Sequence, residues 1–214
     1  MIEINKITKS FGNQQIISNF SLNILEGERI YIVGENGSGK TTLLNIILGF
    51  IKADSGQVKL DANLEKIGVI YQGIERDKYF NVQEDLYLEG ILHDIDLDII
   101  DNSKFFNKKN YKKKIVNLSG GEWQKLQILK ALSCKPDILV TDEITTGLDY
   151  ESRSTLYKML NDSFTDRQLT YLSVSHYEEE INLFATKVLF LKDGVVTIYD
   201  NKNKDFLFER MIND

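Results

Sequence analysis

The sequence predicts an α/β fold built on a mainly parallel sheet, and three observations carry that reading. Short, largely apolar runs at Arg29–Val33, Asp137–Thr141, Thr170–Val174 and Val188–Leu191 lack the polar alternation of half-exposed strands, so they suit strands covered on both faces. Stretches of helical composition separate them, as crossover helices separate parallel strands. The first of these runs passes directly into Gly34-Glu35-Asn36-Gly37-Ser38-Gly39 and leaves it as a helical segment.

Taken in order, Ile2, Ile4 and Ile7 form an irregular apolar series that ends at the turn signal Gly12-Asn13. Phe20, Leu22 and Ile24 alternate with polar residues, so this first part reads as strands. Lys40 to Leu48 reads as a helix stopped by Gly49. Gln57–Leu60 and Ile67–Tyr71 read as strands. From about residue 75 to 117 the period-2 pattern is lost, and Glu84-Asp85-Leu86 and Asp94 to Ile100 have helical character, so this stretch is expected to be a small helical insertion. Asp193-Gly194, between Val188–Leu191 and Val195–Tyr199, is a hairpin signal. A terminal helix is expected around Phe206, Leu207 and Met211.

A chain of 214 residues holds one sizeable domain, and 42% hydrophobic with 27% charged residues is the balance of a globular protein. A net charge of −6 supplies no global basic field, so no nucleic-acid partner is expected. The single cysteine, Cys134, forms no internal disulfide, which suits a reducing compartment. Met1 is followed by Ile-Glu-Ile-Asn, without the basic and apolar regions of a secretory leader. The most apolar stretch, Leu43 to Ile51, falls short of the roughly 20 residues that span a bilayer. Any membrane role is expected to need a separate partner.

Gly34 to Thr41 fits G-x-x-x-x-G-K-[ST], the phosphate-binding P-loop pattern. Its glycines let backbone N–H groups approach phosphate oxygens, and the following helix aims its N-terminus at the anion. Lys40 is expected to reach the β- and γ-phosphates and Thr41 to ligate Mg²⁺; Glu35, Asn36, Gly37, Ser38, Gly39 and Thr42 complete the phosphate-binding segment. Ile138 to Thr141 carries Asp142 and Glu143 to the end of a buried strand, where α/β sheets bind ligands. Asp142 is expected to hold Mg²⁺ through water, and Glu143 to orient or deprotonate the attacking water.

Leu118-Ser119-Gly120-Gly121-Glu122 is the most specific motif. Ser119 and Glu122 have the spacing of a capping box, and Trp123, Leu126, Leu129 and Leu132 repeat on one helical face, so a helix is expected to start near Ser119. Two glycines there expose its N-terminal amides as a second anion-binding surface. With the P-loop, this motif makes the chain resemble the nucleotide-binding subunit of an ATP-binding cassette (ABC) transporter, over about Met1 to Tyr199.

The resemblance implies a single cassette over residues 1–214. Its core would be 1–74 and 118–214, with a mainly parallel sheet and an N-terminal antiparallel β subdomain, and its inserted helical subdomain about 75–117. It implies ATP and Mg²⁺ as ligands and an ATP-dependent homodimer or paralogous heterodimer. In that dimer the P-loop of one subunit and Ser119, Gly120 and Gly121 of the other sandwich each nucleotide. Phe11 matches the aromatic that stacks on adenine, Gln72 the glutamine that touches Mg²⁺ and the membrane partner, Gly147-Leu148-Asp149 the loop that crosses the dimer interface, and His176 the residue that senses the γ-phosphate.

Three positions depart from the family pattern. Ile144 replaces the usual proline, an exchange expected to loosen its loop; Thr141 replaces an apolar residue, and Glu122 the commoner glutamine. The expected function is ATP hydrolysis that powers a separate transmembrane permease, with the subunit cytoplasmic and peripheral at the membrane. The alternatives are a soluble ABC-type ATPase uncoupled from transport and a nucleotide-gated regulatory module; intact Glu143 and His176 argue against the latter. The basic cluster Lys108, Lys109, Lys112, Lys113 and Lys114 reads as a solvated face, with contact to an acidic surface or anionic headgroups as the sharper reading.

Overall fold

The computed structural model of the chain describes residues 1–61, 66–71, 73, 75–93 and 105–201. In chain order the described elements are β1 (Ile2–Phe11), β2 (Gln14–Ile24), β3 (Arg29–Gly34), α1 (Lys40–Ile47), β4 (Ser55–Leu60), β5 (Ile67–Ile70), α2 (Val82–His93), α3 (Gly120–Ser133), β6 (Ile138–Asp142), α4 (Tyr150–Arg167), β7 (Thr170–Val174), α5 (Glu178–Phe184), β8 (Lys187–Lys192) and β9 (Val195–Asp200). They fall into two units, Met1–Ala62 with Gln168–Asp214, and Asn63–Arg167.

In the first unit, Gly12-Asn13 turns β1 back on β2, and β4 adds to the other edge of β1, giving an antiparallel sheet of order β2-β1-β4. The irregular apolar series of β1 has a geometric cause. Ile4 and Ile7 are both buried although an odd spacing should put them on opposite faces. The register against β2 shifts between them, and Lys6 takes a left-handed φ of 49°, so a bulge returns Ile7 to the core side.

The second sheet of this unit has the order β7-β3-β8-β9. Strands β7, β3 and β8 are parallel, with Ile32 opposite Val174 and Leu189, and β9 closes as an antiparallel hairpin through Asp193-Gly194. Ile30, Tyr31, Ile32, Tyr171, Leu172, Val188 and Leu189 have no exposed surface. That continuous burial along each strand is why the sequence shows apolar runs there instead of alternation. Each such side chain contributes about 2 kcal/mol of burial. Leu43 and Leu44 of α1 are equally buried.

In the second unit β5 and β6 pair in parallel from Ile67 opposite Ile138 to Ile70 opposite Thr141. Tyr71 lies beyond the strand. Helix α3 buries Leu126, Leu129 and Leu132 on the face expected of it, while Trp123 is only half-buried. Between β5 and α3 the described residues form α2 and two single 3₁₀ turns, Lys108–Asn110 and Ile115–Asn117. Asp94 to Ile100, Gln72 and the terminal segment with Phe206, Leu207 and Met211 lie outside the described residues.

Candidate functional site

The phosphate loop belongs to the first unit and is shaped by steric constraints on its glycines. A Cβ at Gly34 would lie 2.4 Å from the backbone oxygen of Leu191 on the neighbouring strand β8, so only glycine lets β3 enter the turn there. Gly39 sits at φ 106° as the residue before α1, where a side chain would also meet Ile16. Helix α1 begins directly after it at Lys40, and a helix N-terminus is a place that suits anions.

Lys40 is buried, and its ammonium donates to the backbone oxygens of Gly34 at 2.9 Å and Glu35 at 2.8 Å. The loop therefore curls around its own cation. The Ser38 hydroxyl is buried without a hydrogen-bond partner, an orphaned polar group of the kind a ligand oxygen satisfies. Glu35, Asn36, Gly37 and Thr41 are exposed, and Thr42 is half-buried.

Two other expected residues belong to the same unit. Phe11 ends β1 with 51% of its surface exposed, and the Lys9 ammonium, paired with Asp54 at 2.7 Å, lies 5.2 Å from the ring centroid. A large aromatic left this open is available for stacking. His176 follows β7 and is exposed. Because Ile32 is opposite Val174 in the parallel register, β3 and β7 run out at the same sheet edge, one into Gly34 and the other into Ser175-His176.

The second unit gathers Ser119, Gly120, Gly121, Asp142, Glu143 and Gly147-Leu148-Asp149. A cavity of about 450 Å³ is lined by Tyr71, Gly120, Gly121, Trp123, Asp142 and Gly147, among others. Asp142, at the end of β6, is buried, and Glu143 is half-buried with a left-handed φ of 53°. For a glutamate that conformation costs roughly 1 kcal/mol, the kind of local strain that collects at functional positions. Burial, and then the Asp142 carboxylate, push the Tyr71 phenol up to about 12. The loop after Glu143 is anchored where the sequence suggested loosening. Ile144 is buried in proline's usual place, and its carbonyl accepts from Gln124 Nε2 at 2.5 Å. Asp149 caps α4, accepting from the Ser152 N–H at 2.8 Å and its hydroxyl at 2.9 Å.

The Ser119 turn is organised by a complete capping box. Ser119 Oγ accepts from the Glu122 N–H at 3.2 Å, and Glu122 Oε2 accepts from the Ser119 N–H at 2.8 Å. Such a cap is worth about 1 kcal/mol. The other carboxylate oxygen, Oε1, accepts from Asn110 Nδ2 at 2.8 Å and Lys113 Nζ at 2.9 Å. The Ser119 amide, then Lys113, hold the Glu122 carboxyl at about 2, well below the usual range. Glutamate in place of glutamine thus recruits a lysine of the basic cluster. Lys114 donates to the Tyr79 carbonyl, so Lys113 and Lys114 of the basic cluster both make structural bonds within this unit. Arg76 caps the approach, donating to the Leu118 carbonyl with its guanidinium 6.0 Å from the Trp123 ring centroid.

Gly120 differs in kind from the glycines of the phosphate loop. It is not at positive φ, and a Cβ there would meet nothing within 4 Å. The fold does not require glycine at that position.

Sequence reasoning did not find Asn110, Arg76 or Gln124, and it named Lys113 only as part of the basic cluster, without its bond to Glu122. They act across loops, at separations without a periodic signal. Of the expected site residues, Gln72 lies outside those described.

The sequence profile of the family described as ABC transporter matches residues 17–146, from β2 to just beyond Glu143. The energy-coupling factor transporter ATP-binding protein EcfA1 of Streptococcus pyogenes serotype M12 is 31% identical over 220 residues, covering 92% of this chain and 77% of that one. A dimeric ATP-binding cassette in a post-hydrolysis state, bound to ADP and Pi, is similar at a TM-score of 0.80 with 25% identity, over 94% of this chain and 98% of that one. The ATP-binding subunit of another ABC transporter shares the fold at 16% identity, with a TM-score of 0.80 over 100% of this chain and 93% of that one. With the phosphate loop, the acidic strand end and the capped glycine turn in one chain, the protein belongs to the ABC transporter family, as an ATP-binding and hydrolysing subunit that powers transport.

Proposed function

We propose that this subunit delivers the energy of ATP hydrolysis to a separate transmembrane permease from the cytoplasmic face of the membrane. Among the described residues no helix is long and apolar enough to cross a membrane. The energy-coupling factor relatives are named as ATP-binding proteins of transporters, which supports the same division of labour. The proposed organisation is one cassette over 1–214, with a core of 1–74 and 118–214 and a helical subdomain at about 75–117.

The observation that carries the site assignment is the open Gly120 beside a capped helix start, in a chain that also holds a complete phosphate loop. Two anion-binding surfaces in one subunit fit two subunits sharing each nucleotide, as a homodimer or a paralogous heterodimer. In this reading Phe11 stacks on adenine, and Gly34 to Thr42 enclose the phosphates with Lys40 at the γ-phosphate. Ser119, Gly120 and Gly121 of the partner face the γ-phosphate from the other side.

Glu143 accepts a hydrogen bond from the attacking water and takes its proton as the water oxygen bonds to phosphorus and the bond to the ADP oxygen breaks. His176 donates to the γ-phosphate oxygens. The donor set suits Mg²⁺, since the Thr41 hydroxyl, the Asp142 carboxylate acting through water and the Gln72 amide all offer hard oxygen. When bound, the ion would neutralise charge on the phosphates.

The deciding experiment is Glu143→Gln. It should bind Mg-ATP as wild type does and hydrolyse it at least roughly a hundredfold more slowly, as expected on losing a general base. Held at the unhydrolysed stage, it should run as an ATP-dependent dimer in size-exclusion chromatography. Wild-type turnover would remove Glu143 from the mechanism.

A further inference from the structure

We propose that Glu180 is a positioning residue for His176, acting through Ser175 and Tyr31. The proposal rests on the reading of His176 as the γ-phosphate contact.

Glu180 lies on α5 with no exposed surface. One carboxylate oxygen accepts from the Tyr31 hydroxyl at 3.1 Å, and the other accepts from the Ser175 hydroxyl at 3.0 Å. Ser175 Oγ in turn accepts from the Tyr177 N–H at 3.2 Å. The residues on both sides of His176 are thereby tied to a single buried group. The third anchor, Tyr31, belongs to β3, the strand that delivers Gly34 to the phosphate loop. Its ring meets Tyr171 of β7 edge-on, with centroids 5.7 Å apart. Glu180 thus joins the strand leading to the phosphate loop and the turn bearing His176, which leave the sheet at one edge.

Stability alone is a poor reason for this carboxylate. Burying a charge is costly, and well-packed apolar replacements of buried polar groups are often as stable. A rigid acceptor pair has a different use. A carboxylate accepts at two oxygens, so it takes the Tyr31 and Ser175 protons together and leaves the Ser175 lone pairs for the Tyr177 amide. Glutamine offers one such oxygen and cannot hold both hydroxyls in the same sense. The turn is then fixed to within the few tenths of an ångström that phosphoryl transfer rewards.

The test is a double-mutant cycle on ATP hydrolysis by the full chain, using Ser175→Ala and His176→Ala. Ser175→Ala should lower kcat by roughly tenfold while KM for Mg-ATP stays within about twofold, because the phosphate loop is untouched. In the His176→Ala background, Ser175→Ala should cause no further loss. Equal losses in both backgrounds would overturn the proposal, since Ser175 would then act independently of His176. Wild-type turnover in Ser175→Ala, alongside impaired His176→Ala, would overturn it too and leave the role of His176 standing. Wild-type turnover in His176→Ala would instead remove His176 from the reaction, and the proposal with it. Tyr31→Phe and Glu180→Gln repeat the cycle from the other two ends, so misfolding of one variant does not decide the outcome.

Discussion

The two glycine-bearing turns of this protein solve one problem in opposite ways. Both place a helix N-terminus, a position that suits an anion, beside glycines. At the phosphate loop the backbone itself is the device: Gly37 and Gly39 sit at φ 83° and 106°, and a side chain at Gly34 would collide with β8. At the Ser119 turn the backbone is ordinary, and side chains do the holding. Glu122, Ser119, Asn110 and Lys113 fix the helix start, while Gly120 and Gly121 are spared any steric demand severe enough to need glycine. The first turn is rigid because its backbone has no alternative. The second is held by a polar network that belongs to its own unit, and its glycines carry no steric demand.

That contrast can be broken by substitution, beginning where the effect should be largest. Gly34→Ala must displace backbone of β8 and should cost on the order of 3 kcal/mol. Urea denaturation measures it, and a midpoint equal to wild type would mean that the loop tolerates a shape unlike the one described. Lys40→Ala removes the nearest cation from the γ-phosphate and should weaken Mg-ATP binding by roughly tenfold or more, since charge-assisted bonds to phosphate are among the strongest. Equal affinities by calorimetry would refute that role.

Gly120→Ala makes the opposite statement. Its stability should stay within about 0.5 kcal/mol of wild type, as for a substitution into open space. ATP turnover should nevertheless fall several-fold if the position faces a nucleotide held by a partner subunit. Unchanged turnover would return Gly120 to being an ordinary surface residue.

The smallest effect concerns Glu122. Its folded carboxyl is held at about 2, below the roughly 4.3 of an unfolded glutamate, so its contribution is fully present above that unfolded value and is lost as pH falls toward 2. Glu122→Gln should cost about 1 kcal/mol near neutral pH, the scale of a helix cap, and the gap to wild type should close on acidification from about pH 4 to 2. A gap independent of pH would show that charge plays no part in the cap.

Legibility from sequence followed the same division. The strand, glycine turn and following helix of the phosphate loop were legible, because local sterics dictate that backbone and glycine spacing records those sterics. Ser119 and Glu122 were legible as a capping box for the same reason, three residues apart on one turn of helix. Their link to Lys113 and Asn110 was not. Nine and twelve residues of intervening chain carry no period, and the lysine read as one of a solvated cluster. The burial of Ile144 and its bond from Gln124 were not legible, because only packing decides what a side chain in that loop meets. The bulge at Lys6 was visible only as an irregular apolar series.

Elements whose information is local were written in the chain: the buried parallel strands, the glycine turn of the phosphate loop, the acidic end of β6 and the capped start of α3. Apolar runs, glycine positions and short-range spacings encode these directly in the chain. Only the tertiary structure decided which long-range polar partners meet. Glu180 beneath the His176 turn, Lys113 on Glu122 and Gln124 on Ile144 each depend on a distance between segments that no local rule sets. A buried polar group must find its partner wherever the packed chain brings one, and that requirement becomes visible only once the strands and helices are in place.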